Sequence, residues 1–320
     1  MKSFLIRKTL SLKIRLFNLF HRKSPKIALL SSEKWRGKIL DDLLVAREFN
    51  RSGYRSEIIS WDNLPKNLNS FSAFLVTSMW GYEDDEKSFA KWLEIFSNQK
   101  ILNDISVIKN NFEKKSQTNL LKLSGIPIIP TEFIEKNSKS LGKSLENSAK
   151  IFATSELVVK PTVSGSGKNT YLFGNSPRNH SLPLDFENLP RELTELNKKK
   201  SLLVQPFLKE IDEGELAVIM INGKISHAVR RFPHIFSDTG SLSVVKISSL
   251  DEEVKKICEK VASIPEYKDA LYSRIDFVKK DGKYLVMEVE FFEPNLYFSI
   301  QPNREKLLKT FVSAFLEKIC

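Results

Sequence analysis

The pattern of apolar and polar positions changes character at Lys26. KIALL (26–30) is a continuous apolar run of strand length. Ile39 to Arg51 repeats apolar residues at helical spacing until Gly53 stops it, and Ser56–Trp61 and Ser72–Thr77 read as two further strands. Glu86 to Asn98 puts Phe89, Trp92, Leu93 and Phe96 on one side of a helix. Strand, helix, strand, strand, helix over about 85 residues predicts a small open α/β sheet. The segment after the first strand, SSEKWRG, is not G-x-G-x-x-G, so this sheet is not read as dinucleotide-binding.

Lys114 to Ser124 reads as a short helix capped by Gly125, and the prolines of IPIIPT hold an extended entry into Glu132–Ile134. Lys136 to Lys150 is polar and reads as a loop followed by a helix. SELVVKPTVSGSGKNTYLF predicts a strand ending in Lys160, a Gly/Ser loop and a returning strand at Thr170–Phe173. SLLVQPF is a buried strand. Asn222-Gly223, between Leu216–Ile221 and Lys224–Arg231, predicts a hairpin, as does Asp281-Gly282 between Ser273–Val278 and Tyr284–Phe291. Asp251–Ser263 and Arg304–Ile319 read as helices.

Composition narrows the class. In 320 residues, 41% are hydrophobic and 28% charged, which describes a soluble globular chain. Two cysteines point to a reducing, cytoplasmic compartment, and four histidines without ligand spacing exclude a Cys/His zinc site. Net charge is +11, but residues 1–24 contribute seven Lys/Arg and no acid, which leaves about +4 for the rest and gives no reason to expect nucleic acid as a partner. In that tail Arg7, Lys8, Lys13 and Arg15 interrupt every apolar run, so it is neither signal peptide nor membrane span. Wound as a helix, its apolar residues circle the axis without a clean face. It reads as a loosely ordered basic extension, with a membrane-surface or partner helix as the alternative.

Two segments carry chemistry. Val163 to Asn169 departs from a Walker A loop at Thr162 and Asn169 and joins strand to strand, so it offers only backbone N–H groups and hydroxyls that could fold over phosphates. Lys160, closing an apolar strand, is costly to bury without an anion beside it. In the hairpin, alternation puts Arg274, Asp276 and Val278 on one face with Val286, Glu288 and Glu290, and Ile275, Phe277, Leu285, Met287 and Val289 on the other. Three carboxylates and an arginine suit Mg²⁺ with phosphates, against the plainer reading of a solvated charged face. For Asp276 to oppose Glu288 the paired residue numbers must sum to 564. A two-residue turn at 281–282 gives 563, so the metal reading requires an odd loop, most simply 281–283, or a bulge.

Taken in order, VVKPTVSGSGK, VQPFLKEIDEGE, ISHAV and MEVEFFEP resemble the ATP-grasp superfamily, in its carboxylate–amine ligase branch, from about Lys26 to the C-terminus. The resemblance implies an α/β ATP-grasp fold: a basic extension (1–24), a small open α/β pre-ATP-grasp domain (25–112), a mobile lid subdomain (113–204) and a C-terminal subdomain (205–320). It implies ATP held by Lys115 (with Lys114 as the alternative register), Lys160, the loop Ser164, Gly165, Ser166 and Gly167, the hinge residues Gln205, Phe207 and Leu208, and Glu215 on the ribose, with Asp212 competing. It implies Mg²⁺, or Mn²⁺, on Asp276, Glu288 and Glu290, although the last position is often Asn in the family. Arg274 would steady the transferred phosphoryl group. Ser243 stands where cycloserine-type members have arginine, so Arg230 or Arg231 would supply that charge, and Arg230 is taken as the catalytic choice. Trp80-Gly81-Tyr82 and Asn103 resemble motifs near the lid junction. The implied activity is ADP-forming amide synthesis through an acyl phosphate, from small-molecule carboxylate and amine substrates. A homodimer is left open. The rivals are another ATP-using enzyme on the same scaffold, such as a phosphotransferase or a protein-terminus ligase, and a non-catalytic basic nucleotide-binding module.

Overall fold

In the computed structural model, residues 2–165, 167–174, 181–183, 185–232 and 241–319 are described, with the side chains of 2 and 3 excepted. Ser166 of the Gly/Ser loop and Gly240 lie outside them. Three sheets organise the chain. The first is parallel, with spatial order β2-β1-β3-β4, from β1 (Lys26–Ser31), β2 (Arg55–Ser60), β3 (Ala73–Ser78) and β4 (Ile101–Leu102). Its helices are α2 (Leu40–Arg51), α3 (Glu86–Phe96) and α4 (Ile105–Phe112). Asp85 and Asp104, each accepting a backbone N–H at the next turn, start α3 and α4. Sequence periodicity located α3 but not α4, whose eight residues are too few to show a repeat.

The second sheet is antiparallel, ordered β12-β11-β10-β13-β14, from β10 (Glu215–Ile221), β11 (Lys224–Phe232), β12 (Ser241–Val245), β13 (Tyr272–Lys280) and β14 (Lys283–Glu290). Asn222 and Gly223, and likewise Asp281 and Gly282, adopt positive φ and close two-residue hairpins, as the Asn-Gly and Asp-Gly pairs predict. One face packs on α8 (Glu252–Ala262) through Val254, Ile257, Cys258 and Val261. The apolar part of the other face, with Ala217, Ile219, Ile221, Val229 and Tyr272, shares a core with β1, β3, α2 and α9 (Arg304–Ile319). Buried Asn103 pins the two sheets together: its side chain donates to the carbonyls of Tyr272 (2.8 Å) and Phe291 (2.5 Å) and accepts from the Leu271 N–H (2.6 Å).

The third sheet, β5-β9-β6-β7-β8, contains β5 (Glu132–Ile134), β6 (Leu157–Pro161), β7 (Tyr171–Phe173), β8 (Ser181–Leu182) and β9 (Leu202–Pro206). With α6 (Leu141–Phe152) and α7 (Arg191–Lys199) it encloses a core drawn wholly from residues 134–204. α5 (Lys114–Leu123) packs instead with Val107, Ile126 and the second sheet, through Leu121.

The basic tail is not a loose extension. α1 (Lys2–Phe20) lies on α2 and β2, with Leu10 and Ile14 buried in the shared core and Asn18 donating to the Ser56 carbonyl (2.7 Å). Removing residues 1–24 is therefore expected to cost about 3–6 kcal/mol, taking roughly 1.5–3 kcal/mol for each of the two buried aliphatic side chains. Urea unfolding measures it, and an unchanged midpoint would show that α1 contributes nothing.

His227, on β11, is buried and neutral. Burial pushes its pKa down to about 4, while its Nε2–H donates to the Leu296 carbonyl (2.5 Å). The unfolded chain takes up the proton first, so this contribution is complete above about pH 6.5 and lost as pH falls toward 4, amounting to about 3 kcal/mol. Urea midpoints of the wild type should fall more between pH 7 and pH 5 than those of His227→Gln. Parallel profiles would rule His227 out.

Candidate active site

A cavity of about 950 Å³ lies between the third sheet and the second sheet. Its lining divides in chemistry. Ile129, Leu208, Val278 and Met287 pack together as an apolar slot, and Val158, Leu172 and Gln205–Phe207 also line the cavity. Lys114, Lys160, Arg231, Arg274, Asp276, Glu288, Glu290 and Glu293 form the charged part of the lining. A flat base with a polyanion attached would match that polarity.

The hairpin register explains how both parts arise from one strand pair. Arg274 opposes Glu290, Ile275 opposes Val289 and Asp276 opposes Glu288, all in the 564 register. From Phe277 to the turn the sum is 563 (Phe277 with Val286, Val278 with Leu285), as a two-residue turn demands. A bulge at Met287 absorbs the difference, so the three-residue loop is not used. The bulge corrects the face assignment too. Val286 joins the α8-side core with Ile275, Phe277 and Val289, whereas Leu285 and Met287 sit on the cavity side with Val278, Ile129 and Leu208.

The charged part is a network of buried ion pairs. Arg274 donates from Nε and a terminal nitrogen to both oxygens of Asp276 (2.9 and 2.8 Å) and also pairs with Glu290. Arg231 bridges Asp276 (2.7 Å) and Glu215 (2.6 Å). Burial raises the Glu288 carboxyl, but Lys114, its ion-pair partner, and Lys160 outweigh that and hold it at about 2. Glu290 goes the other way, to about 7, through burial and the carboxylates of Glu288 and Asp276, although Arg274 opposes the rise. Glu293 is raised further by burial and Glu290, and accepts from the Tyr82 hydroxyl. Lys160 is half-buried and has neither hydrogen bond nor ion pair among the described residues. Burial lowers its pKa, and the carboxylate of Glu288 opposes that only in part.

Of the expected residues, Lys160, Ser164, Gly165, Gly167, Gln205, Phe207, Leu208, Glu215, Arg274, Asp276, Glu288 and Glu290 line the cavity. Two do not. Lys115 points outward to Glu135, and Lys114 is the lysine inside. Helix phase gives the reason: 114, 117 and 121 share the buried face of α5, and 115 is turned about 100° from it. Arg230 likewise turns away, donating to the Gly214 carbonyl (2.9 Å), and Arg231 faces the cavity. Ser243 pairs with Arg230 on exposed β12. Asp212 is exposed.

Sequence reasoning missed Glu293 as a site residue. It lies in the quoted MEVEFFEP segment, but nothing in the sequence showed that Tyr82 would meet it. Trp80 donates to the Glu293 carbonyl (2.9 Å) and Tyr82 to the Ser164 carbonyl (3.3 Å), so the Trp80-Gly81-Tyr82 turn touches both the acidic strand end and the Gly/Ser loop. Next to it, Lys168 pairs with Asp84 (2.5 Å) and Lys200 with Glu86 (2.8 Å), tying the part of the chain that carries the third sheet to the part that carries the first.

Comparison with known proteins agrees with this architecture. The family described as "Prokaryotic glutathione synthetase, ATP-grasp domain" matches residues 118–303, more than half of the chain. The chain belongs to the ATP-grasp ligases. Residues 27–103 of this ATP-grasp chain match the N-terminal domain family of D-cycloserine synthetase DcsG. The cycloserine biosynthesis protein DcsG of Streptomyces lavendulae is 23% identical over 257 residues, covering 76% of this chain and 83% of that protein. The crystal structure of D-cycloserine synthetase DcsG superposes with a TM-score of 0.75 at 20% identity, over 92% of this chain and all of the other. A RimK domain ATP-grasp protein from Sphaerobacter thermophilus gives 0.65 at 12% identity, over 90% and 98% of the two chains. D-alanine–D-alanine ligase from Bacillus anthracis, solved with ATP, gives 0.58 at 15%, over 92% and 99%.

ATP-grasp ligases use ATP, typically with Mg²⁺. The oxygen-only donors Asp276, Glu288 and Glu290 line one cavity and fit a hard cation in kind. Among the described residues no three such side chains converge into a ready-made cage. The fit is therefore to an ion sharing one or two carboxylates with phosphate oxygens.

Proposed function

We propose that this ligase phosphorylates a small-molecule carboxylate with ATP and passes the acyl group to an amine, releasing ADP and phosphate. The observation that carries the reading is Lys160: a half-buried ammonium, without a side-chain partner among the described residues, in a cavity that also holds an apolar slot. A polyphosphate supplies the missing anion and an adenine fills the slot.

The residues divide the work. Lys114 and Lys160 hold the phosphates, and Ser164, Gly165 and Gly167 offer backbone donors to them. Asp276, Glu288 and Glu290 would hold Mg²⁺, whose chemistry is to neutralise phosphate charge and polarise the transferred phosphoryl group. Arg274, fixed by its bidentate grip on Asp276, faces the charge that develops as the carboxylate oxygen displaces ADP. Arg231 supplies the positive charge that the family arginine gives elsewhere and orients the carboxylate. Lid closure over the cavity excludes water that would otherwise hydrolyse the acyl phosphate. No protein nucleophile is required.

The relatives named above make D-cycloserine and join two D-alanines, which supports substrates of amino-acid size. An ¹⁸O-labelled carboxylate tests the chemistry. On this mechanism one labelled oxygen leaves in the inorganic phosphate once the amine attacks. AMP and pyrophosphate as products would overturn it. So would phosphate that stays on the acceptor, which is the signature of a phosphotransferase.

A further inference from the structure

We infer that the outward face of α1 is a docking surface for an anionic lipid bilayer. The inward face carries Leu10 and Ile14, with Phe17 and Asn18 half-buried beside them. On the opposite side Leu5, Leu12, Leu16 and Leu19 recur at i, i+7, i+11 and i+14, which at about 100° per residue confines them to an arc of roughly 60°. These leucines are 45–66% exposed. Phe4 and Phe20, 56% and 77% exposed, mark the two ends of the stripe. The helix thus has two opposed apolar stripes, which is why its apolar residues circle the axis without a single clean face.

Charge selects the occupant. Lys8 and Arg15 border the exposed stripe on one side and Lys13 on the other, and Arg22 and Lys23 follow the helix end. The first acid in the chain is Glu33. A second copy seated on this face would set lysines and arginines against each other with no carboxylate to pair them. An apolar stripe edged by Lys/Arg matches acyl chains bordered by anionic headgroups. α1 lies flat against α2 and β2, so its stripe faces outward along its length. No described helix is long and apolar enough to cross a membrane, so the mode of contact is lying on the surface.

The test is sedimentation of the full chain with vesicles of phosphatidylcholine alone and with about one third phosphatidylglycerol. The wild type should partition onto the anionic vesicles and not the neutral ones. Leu12→Gln/Leu16→Gln, at exposed positions, should reduce partitioning at least about tenfold. Lys8→Gln/Arg15→Gln should weaken it and flatten its salt dependence. MgATP affinity should be unchanged in both variants, which separates this result from misfolding and from failure of the ligase reading. Equal partitioning of wild type and leucine variant would overturn the proposal, as would no binding to anionic vesicles. A dimer that the leucine substitutions dissociate, without vesicle binding, would assign the face to self-association instead.

Discussion

Lys160→Met is expected to weaken nucleotide binding by about 10–100-fold, the worth of a charge-assisted contact to phosphate, while leaving thermal stability equal or slightly higher. The two effects separate because Lys160 is held at a cost. Burial disfavours its charge, no described group pairs with it, and Lys114 already neutralises Glu288. Methionine keeps the stem and removes the desolvation penalty. Calorimetry with MgATP and a thermal melt on the same sample measure both. Unchanged ATP affinity in a fully folded variant would remove Lys160 from the site and with it the main support for the ligase mechanism.

Arg274 should behave in the opposite way. Arg274→Met leaves Asp276 and Glu290 buried without their guanidinium, a loss of about 3–5 kcal/mol for breaking a buried pair. Turnover should vanish along with stability, and that alone would not distinguish architecture from chemistry. Arg274→Lys makes the distinction. It keeps the charge but loses the two-nitrogen grip on Asp276. It should fold, bind MgATP within severalfold of the wild type, and turn over about 100-fold more slowly. Full activity in Arg274→Lys would reduce Arg274 to a structural counter-ion.

Most of the fold could be read from the chain because period and punctuation agreed. The Asn-Gly and Asp-Gly turns, the aromatic stripe of α3 and the terminal helix α9 each follow from local chemistry. Errors arose where two solutions differ by one residue. Lys114 and Lys115 are indistinguishable as lysines; only their phase relative to Gln117 and Leu121 separates them. Arg230 and Arg231 differ only in which face of β11 they occupy. The tail misled for another reason. A helix apolar on two sides looks unpatterned to any test that seeks one side. Glu293 needed a long-range contact, Tyr82 reaching across 211 residues of sequence, which no local pattern encodes.

The bulge at Met287 separates two parts of the hairpin that would otherwise be locked together. Between it and the turn, pairing follows the Asp281-Gly282 loop. Beyond it, pairing follows the acids. Lengthening the turn by two residues would lengthen both strands and leave Asp276 opposite Glu288. Deleting Met287 would instead close the bulge and still leave Glu288 opposite Asp276, but it would take an apolar side chain out of the cavity wall. The tip of this hairpin is thus free to vary in length and composition, whereas the extra residue five places beyond the turn is spare in the ladder and serves the cavity wall instead.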